Sequence, residues 1–132
     1  MIGLDTNVLV RYFAQDDARQ AHKATALMES LSAERPGYVS LVALLEIAWV
    51  LGRCYNVERD QIKEIVESML DTKELVVENA DTVRKALRVF AASDKADFAD
   101  CLIERSGHAA GCEHTATFDV SASRVVGMRL IR

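Results

Sequence analysis

The chain has 132 residues, half of them hydrophobic, and a formal net charge of −4. That is the length of one domain (residues 1–132) with enough apolar content for a core, which excludes a disordered chain; no stretch approaches the roughly 18 consecutive apolar residues of a membrane span. The acidic balance excludes a generic polyanion binder, so any contact with nucleic acid has to rest on local basic groups or metal ions. Cys54, Cys101 and Cys112 are an odd number without framework spacing, and the N-terminus lacks a signal-peptide layout. Both features predict a cytoplasmic protein with reduced thiols.

In chain order, the first element is a short apolar run, Ile2 to Leu4, that ends in a carboxylate, Asp5. It reads as a strand over Ile2–Asp5, followed by a helix that Thr6 or Asn7 caps. In α/β folds ligands bind outside the carboxyl ends of the strands, which places Asp5 where chemistry is done; the plainer alternative is a helix cap. A helical stretch from Asp17 to about Ser32 carries Ala21, Ala24, Leu27, Met28 and Leu31 on one side. The sole proline, Pro36, breaks the chain before a second strand over Tyr38–Ser40. Next, Leu41 to Leu51 has ten apolar positions of eleven and one Glu46. As a helix capped by Ser40 it would be buried nearly all round, so that Glu46 needs a cation, a hydrogen-bonding partner or a cavity. A pair with Arg11 or Arg53, or a solvated helix edge, are the other readings of Glu46.

Ile62, Ile65, Val66, Met69 and Leu70 recur at helical spacing, and so do Val83, Ala86, Leu87, Phe90 and Ala91, with a strand at Glu74–Val77 between them. Beyond Lys95 comes an acidic cluster. If Asp94 caps a helix here, Asp97, Asp100 and Glu104 share one face, and no lysine or arginine on that face offsets their repulsion. Asp97 is also a natural first-turn acid or cap, whereas Asp100 lies deeper, among Phe98, Cys101, Leu102 and Ile103; Glu104 reads as a solvated rim residue. A strand over Thr115–Phe118 delivers Asp119 as the first strand delivers Asp5, with a turn aspartate as the alternative. The last strand is Met128–Ile131. Strands alternating with helices predict an α/β fold with a parallel sheet flanked by helices.

Four acids at strand ends or on apolar helices, Asp5, Glu46, Asp100 and Asp119, would not converge without compensation. Two unit charges about 4 Å apart cost roughly 4 kcal/mol at an effective dielectric near 20. Hard oxygen donors suit Mg²⁺ or Mn²⁺, and such a site positions water against a phosphodiester. Cys112-Glu113-His114 is weak as a zinc motif, having no second pair of ligands. Trp49, Tyr12 and Phe13 read as core or dimer-face packing, and Arg11 as a surface charge or a phosphate contact.

Ile2-Gly3-Leu4-Asp5-Thr6-Asn7-Val8-Leu9, Glu46 in its apolar helix, Ala96-Asp97-Phe98-Ala99-Asp100-Cys101-Leu102-Ile103 and Thr117-Phe118-Asp119 together resemble the PIN-domain ribonucleases. Within that family the chain is similar to the VapC-type toxins of bacterial toxin–antitoxin pairs, over essentially its whole length. By resemblance, Asp5, Glu46 and Asp100 match the invariant metal-site acids, Asp119 a more variable fourth acid and Asp97 an extra acid of one branch. Asn7 and Thr117 match supporting polar residues. The resemblance implies a PIN-like three-layer sandwich with a central parallel sheet of order 3-2-1-4-5. It also implies a Mg²⁺-dependent endoribonuclease (Mn²⁺ as a substitute), RNA as substrate, a cognate antitoxin and a homodimer. Glu104-Arg105 departs from the small residues usual at that point. A phospho-accepting receiver domain, which needs a central Asp and a late Lys at strand ends, does not fit; a non-catalytic binding module on the same fold is the alternative.

Overall fold

A computed structural model describes residues 1–132. Contacts divide the chain into two compact units, Met1–Glu78 and Asn79–Arg132, and each is described by itself.

The first unit runs β1 (Ile2–Gly3), α1 (Thr6–Ala14), α2 (Ala18–Ser30), β2 (Gly37–Val39), α3 (Leu41–Cys54), α4 (Arg59–Asp71) and β3 (Leu75–Val77). Its three strands form a parallel sheet of order β1-β2-β3, with Ile2 opposite Gly37 and Gly37 opposite Leu75. β2 is central because the chain crosses over through a helix pair on each side, the connection that parallel strands need. Gly37 lets the sheet close on its core. A Cβ there would lie 2.8 Å from Leu4 Cδ1 and 2.9 Å from Leu31 Cδ1. Leu9, Val39, Leu44, Ile47, Leu51, Val66 and Met69 are fully buried and make that core. α1 packs on α2 and α3, and α4 packs on α3 and β3.

The second unit runs α5 (Ala80–Ala92), α6 (Phe98–Ala109), β4 (Ala116–Thr117), a π-helical turn (Ala122–Val126) and β5 (Arg129–Leu130). α5 buries Val83, Ala86, Leu87 and Phe90, four of the five residues its period singles out, against α6. The Phe90 and Phe98 rings meet edge-on at 5.5 Å. β4 and β5 pair in parallel, with Ala116 opposite Arg129 and Thr117 opposite Leu130.

The protein is therefore α/β with parallel strands, as the alternation predicts. The order 3-2-1 holds within the first sheet and β4 lies beside β5 in the second. These are two ladders, and they do not draw the five-stranded order 3-2-1-4-5. No helix is long and apolar enough to cross a membrane.

Candidate active site

In the first unit, Asp5 leaves β1 directly after the rung from the Leu4 N–H to the Tyr38 carbonyl (2.9 Å) and occupies the N-cap position of α1. The cap is thus neither Thr6, which is buried as the first helical residue, nor Asn7, which is exposed. The Asp5 backbone carbonyl accepts from the Val8 and Leu9 N–H groups, but its carboxylate makes no capping bond and is exposed. Elsewhere the same position works differently. Asp17 accepts from the Gln20 N–H at 3.0 Å and Ser40 from the Ala43 N–H at 3.1 Å. A cap oxygen normally satisfies one of the free N–H groups of the first turn. The Asp5 carboxylate makes no such bond and faces water.

For Glu46 the structure selects the solvated helix edge over the buried position. α3 buries one side through Ala43, Leu44, Ile47 and Leu51, while Val42 is 68% and Trp49 61% exposed on the other. Glu46, four residues after Val42 and three before Trp49, lies on that open face and is itself exposed. It needs no buried counter-ion, and Trp49 is not core. Tyr12 and Phe13 are half-buried with their rings edge-on at 5.1 Å. Arg11 is held by its neighbours. Its Nε donates to Gln20 Oε1 at 2.6 Å, and its Nη1 donates to the Tyr55 hydroxyl at 3.0 Å and pairs with Asp16 at 3.3 Å.

An acid that the sequence reading passed over is Glu78, which follows β3 as Asp5 follows β1. Its Oε1 accepts from the Leu41 N–H at 2.9 Å, so it caps α3 from another strand. Burial, and then Glu78, push the Tyr38 hydroxyl upward. The signal was present, an acid at a strand end, but here it marks a cap.

In the second unit the helix begins later than the sequence suggests. Asp97, not Asp94, is the N-cap of α6, its Oδ1 accepting from the Ala99 N–H at 3.3 Å. Ser93 takes over upstream, its Oγ accepting from the Lys95 and Ala96 N–H groups in a turn of its own. Asp100 therefore sits in the first helical turn, half-buried. A helix N-terminus favours the ionised carboxylate. The Asp100 carboxyl nevertheless sits above its ordinary value, raised first by burial and then by Asp97 and Asp119. Like charge and desolvation outweigh the helix end.

Asp119 is fixed by a double turn after β4. Thr117 Oγ1 accepts from the Asp119 N–H at 3.0 Å, and Asp119 Oδ1 accepts from the Ser121 N–H at 2.8 Å and the Ala122 N–H at 3.4 Å. Its second oxygen is uncommitted. Glu104 is not a solvated rim residue. Its side chain is 13% exposed, and both oxygens accept from Arg105, at 2.6 and 3.1 Å. Cys112 and His114 are exposed.

The donor chemistry here fits a hard divalent cation: carboxylate oxygens only, in a neighbourhood whose charges repel without one. Neither unit by itself gathers three or more His, Cys, Asp or Glu side chains into a group able to hold a metal ion. Asp97 and Asp119 thus act on Asp100 without the three forming a closed set of ligands.

Searches of curated proteins and of solved structures return no match. The PIN domain family model, in contrast, matches residues 2–127. With strands that end in acids, an α/β architecture and a match over nearly its entire length, the chain belongs to the PIN-domain family, whose members are in general nucleases.

Proposed function

We propose that the protein is a divalent-metal-dependent endoribonuclease, with Mg²⁺ as the ordinary cation and Mn²⁺ as a substitute, and that it acts as the VapC-type toxin of a toxin–antitoxin pair. The observation that carries the nuclease reading is the setting of Asp100: a half-buried carboxyl in the first turn of α6, raised first by burial and then by Asp97 and Asp119, with no cation among the groups that act on it. Structure that serves stability alone pairs such charges with cations or leaves them in water. The Asp5 carboxylate, freed from capping, adds to this.

In this reading Asp5, Glu46, Asp100 and Asp119 are the working acids, with Asp97 as an additional ligand and Asn7 and Thr117 in support. When bound, the cation supplies neutralisation of the acids and electrostatic stabilisation of the phosphodiester as it is attacked. The chain's residues do the rest. Thr117 holds the Asp119 backbone, which fixes the direction of the Asp119 carboxylate. Asp97 closes the first turn of α6 and so sets the rotation of Asp100 about the helix axis. Glu46, exposed and unpaired, orients the attacking water. Water adds in line to phosphorus, the 3′-oxygen leaves with a proton, and the products carry a 5′-phosphate and a 3′-hydroxyl.

The toxin role, the antitoxin partner and the homodimer follow from the resemblance of the motifs. The exposed Val42 and Trp49 on α3 suit a face that a second protein covers. The deciding experiment is cleavage of a mixed RNA pool by purified protein with Mg²⁺, with EDTA and with Asp5→Ala. Cleavage that requires both the metal and Asp5 supports the nuclease. A folded protein that cleaves nothing in any condition supports a binding module on the PIN fold.

A further inference from the structure

The end of α6 sends the chain back along the helix it has just left. The Cys112 N–H donates to the Gly107 carbonyl and the Gly111 N–H to the His108 carbonyl, both at 3.0 Å, with Gly111 at a φ of 92°. This pair of bonds around a left-handed residue closes a helix and reverses its chain, and glycine adopts that backbone without strain. A few residues on, Thr115 lies half-buried against Gly107. A Cβ added at Gly107 would stand 2.9 Å from Thr115 Oγ1, closer than such a carbon approaches a neighbour, and 3.9 Å from Cys112 Cβ and Sγ. Glycine weakens a helix interior relative to alanine, and here the missing Cβ makes room for the strand. The oxygen sits one bond from the Thr115 Cβ, and a β-branched side chain has little freedom to turn it away. A methyl group at position 107 therefore moves the start of the strand.

Thr115 opens the segment that ends in Asp119. From Gly107 back to Asp100 is seven residues, two turns along one face of α6 and about 10 Å. From Thr115 forward to Asp119 is four residues, at most about 14 Å of chain. The strand runs back along the helix, and Asp119 arrives at the level of Asp100, among the carboxylates that act on it. Beyond Asp119 the π-helical turn packs on α6 and buries Ala122 and Val126. Asp119 is thus held between two anchors on one helix. The downstream anchor is ordinary apolar packing; the upstream one is the single close approach at Gly107. The Thr117 and Asp119 side chains close the turns between Thr117 and Ala122, so a shift at Thr115 is carried to the Asp119 carboxylate.

We infer that Gly107 is a positioning residue: by admitting Thr115 against α6 it sets the separation of the Asp100 and Asp119 carboxylates, and with it their fit to a divalent cation. The cation rests on the nuclease reading above; the separation does not. Gly107 touches neither carboxylate, and acts on them only through the strand that it lets approach.

The test is Mg²⁺ binding without RNA, read from the rise of Tm with metal concentration, because a ligand of the folded state stabilises it. Gly107→Ala should weaken Mg²⁺ affinity by about 10-fold. Adding Thr115→Ala to that variant removes the obstructing oxygen and should bring the affinity back. Should Gly107→Ala not fold, Thr115→Val, which puts a methyl group against Gly107 in place of the hydroxyl, should weaken Mg²⁺ binding in the same direction by less. Gly107→Ala that binds Mg²⁺ like the unaltered protein overturns the proposal even if its Tm in EDTA falls, since lost packing alone lowers Tm without touching affinity. So does a loss of affinity that Thr115→Ala fails to reverse. The metal reading fails separately, when Mg²⁺ does not raise the Tm of the unaltered protein. In that event the repulsion between the two carboxylates decides, measured in EDTA by a cycle of Asp100→Asn and Asp119→Asn. A repulsion that Gly107→Ala reduces keeps the spacer, and one that it leaves unchanged or enlarges removes it.

Discussion

Around Arg11, each charge meets its complement. The guanidinium touches Asp16, the Tyr55 hydroxyl and Gln20, and the same hydroxyl donates to Asp16 Oδ2 at 2.7 Å. The Asp16 carboxyl is lowered as a result, first by the Tyr55 hydrogen bond, and Arg11 adds to the effect. Around Asp100 the arrangement is inverted: the carboxyl is raised, first by burial and then by Asp97 and Asp119. One cluster is complete with the side chains it has. The other has no cation among the groups that act on it, and that contrast is what the proposed metal site rests on. A polar group in sequence does not reveal which of the two it belongs to; its neighbours do.

The largest expected effect breaks the second cluster. Asp100→Asn keeps the shape and removes the charge, so metal-dependent cleavage should fall by more than about 100-fold. Thermal stability should move the other way. Removing a repelled, half-buried carboxylate near Asp97 and Asp119 should raise Tm by about 1–3 °C without added metal. A melting curve and a cleavage assay on the same preparation decide it. A fall in both quantities would mark Asp100 as a structural residue. Mg²⁺ should stabilise the unaltered protein and leave Asp100→Asn nearly unmoved, because a ligand that binds only the folded state raises its stability.

A sharper version compares two aspartates at helix starts. Asp17 caps α2 with its carboxylate, and Asp5 stands at the same position on α1 without doing so. Asp17→Ala should therefore cost about 1 kcal/mol of stability and leave cleavage intact. Asp5→Ala loses no capping bond, so its unfolding free energy should stay within about 0.5 kcal/mol of the parent while cleavage disappears. Urea titration of both variants beside the RNA assay tests the pair; a large loss of stability in Asp5→Ala would make it an ordinary cap.

Much of this was legible in the chain. The helical periods of α4 and α5, Pro36 before β2 and the acids closing β1 and β4 all point to elements that form. What failed has local causes. The run Leu41–Leu51 is apolar in ten positions of eleven, but composition does not say which face is covered, and its two exposed apolar residues include the largest, Trp49. α6 starts at the later of two candidate caps, Asp97 rather than Asp94, and the turn that Ser93 closes upstream has no signal in helical period. Glu78 obeys the strand-end rule as well as Asp5 does, yet its partner is a backbone N–H 37 residues away in sequence. Glu104 looks solvated by type, and only the bidentate hold of Arg105 shows otherwise. Distant partners such as that of Glu78, and choices between faces, are the information a single sequence carries least.

The smallest effect belongs to the complete cluster. Tyr55→Phe removes the hydroxyl that donates to Asp16 and accepts from Arg11, and should lower Tm modestly while leaving RNA cleavage unchanged. Its pH dependence follows from the direction of the Asp16 shift. A carboxyl whose folded pKa lies below its unfolded value near 3.8 contributes stability that is fully present above that value and is lost as pH falls through the folded one. Tyr55→Phe weakens the main cause of that lowering. The gap in Tm between the two proteins should thus be constant near neutral pH and narrow as the pH drops below the ordinary carboxylate range, where Asp16 is protonated in both. A gap that persists unchanged in acid would assign the contribution of Tyr55 to packing, and the charge network around Arg11 would lose its role in holding α1 to α3.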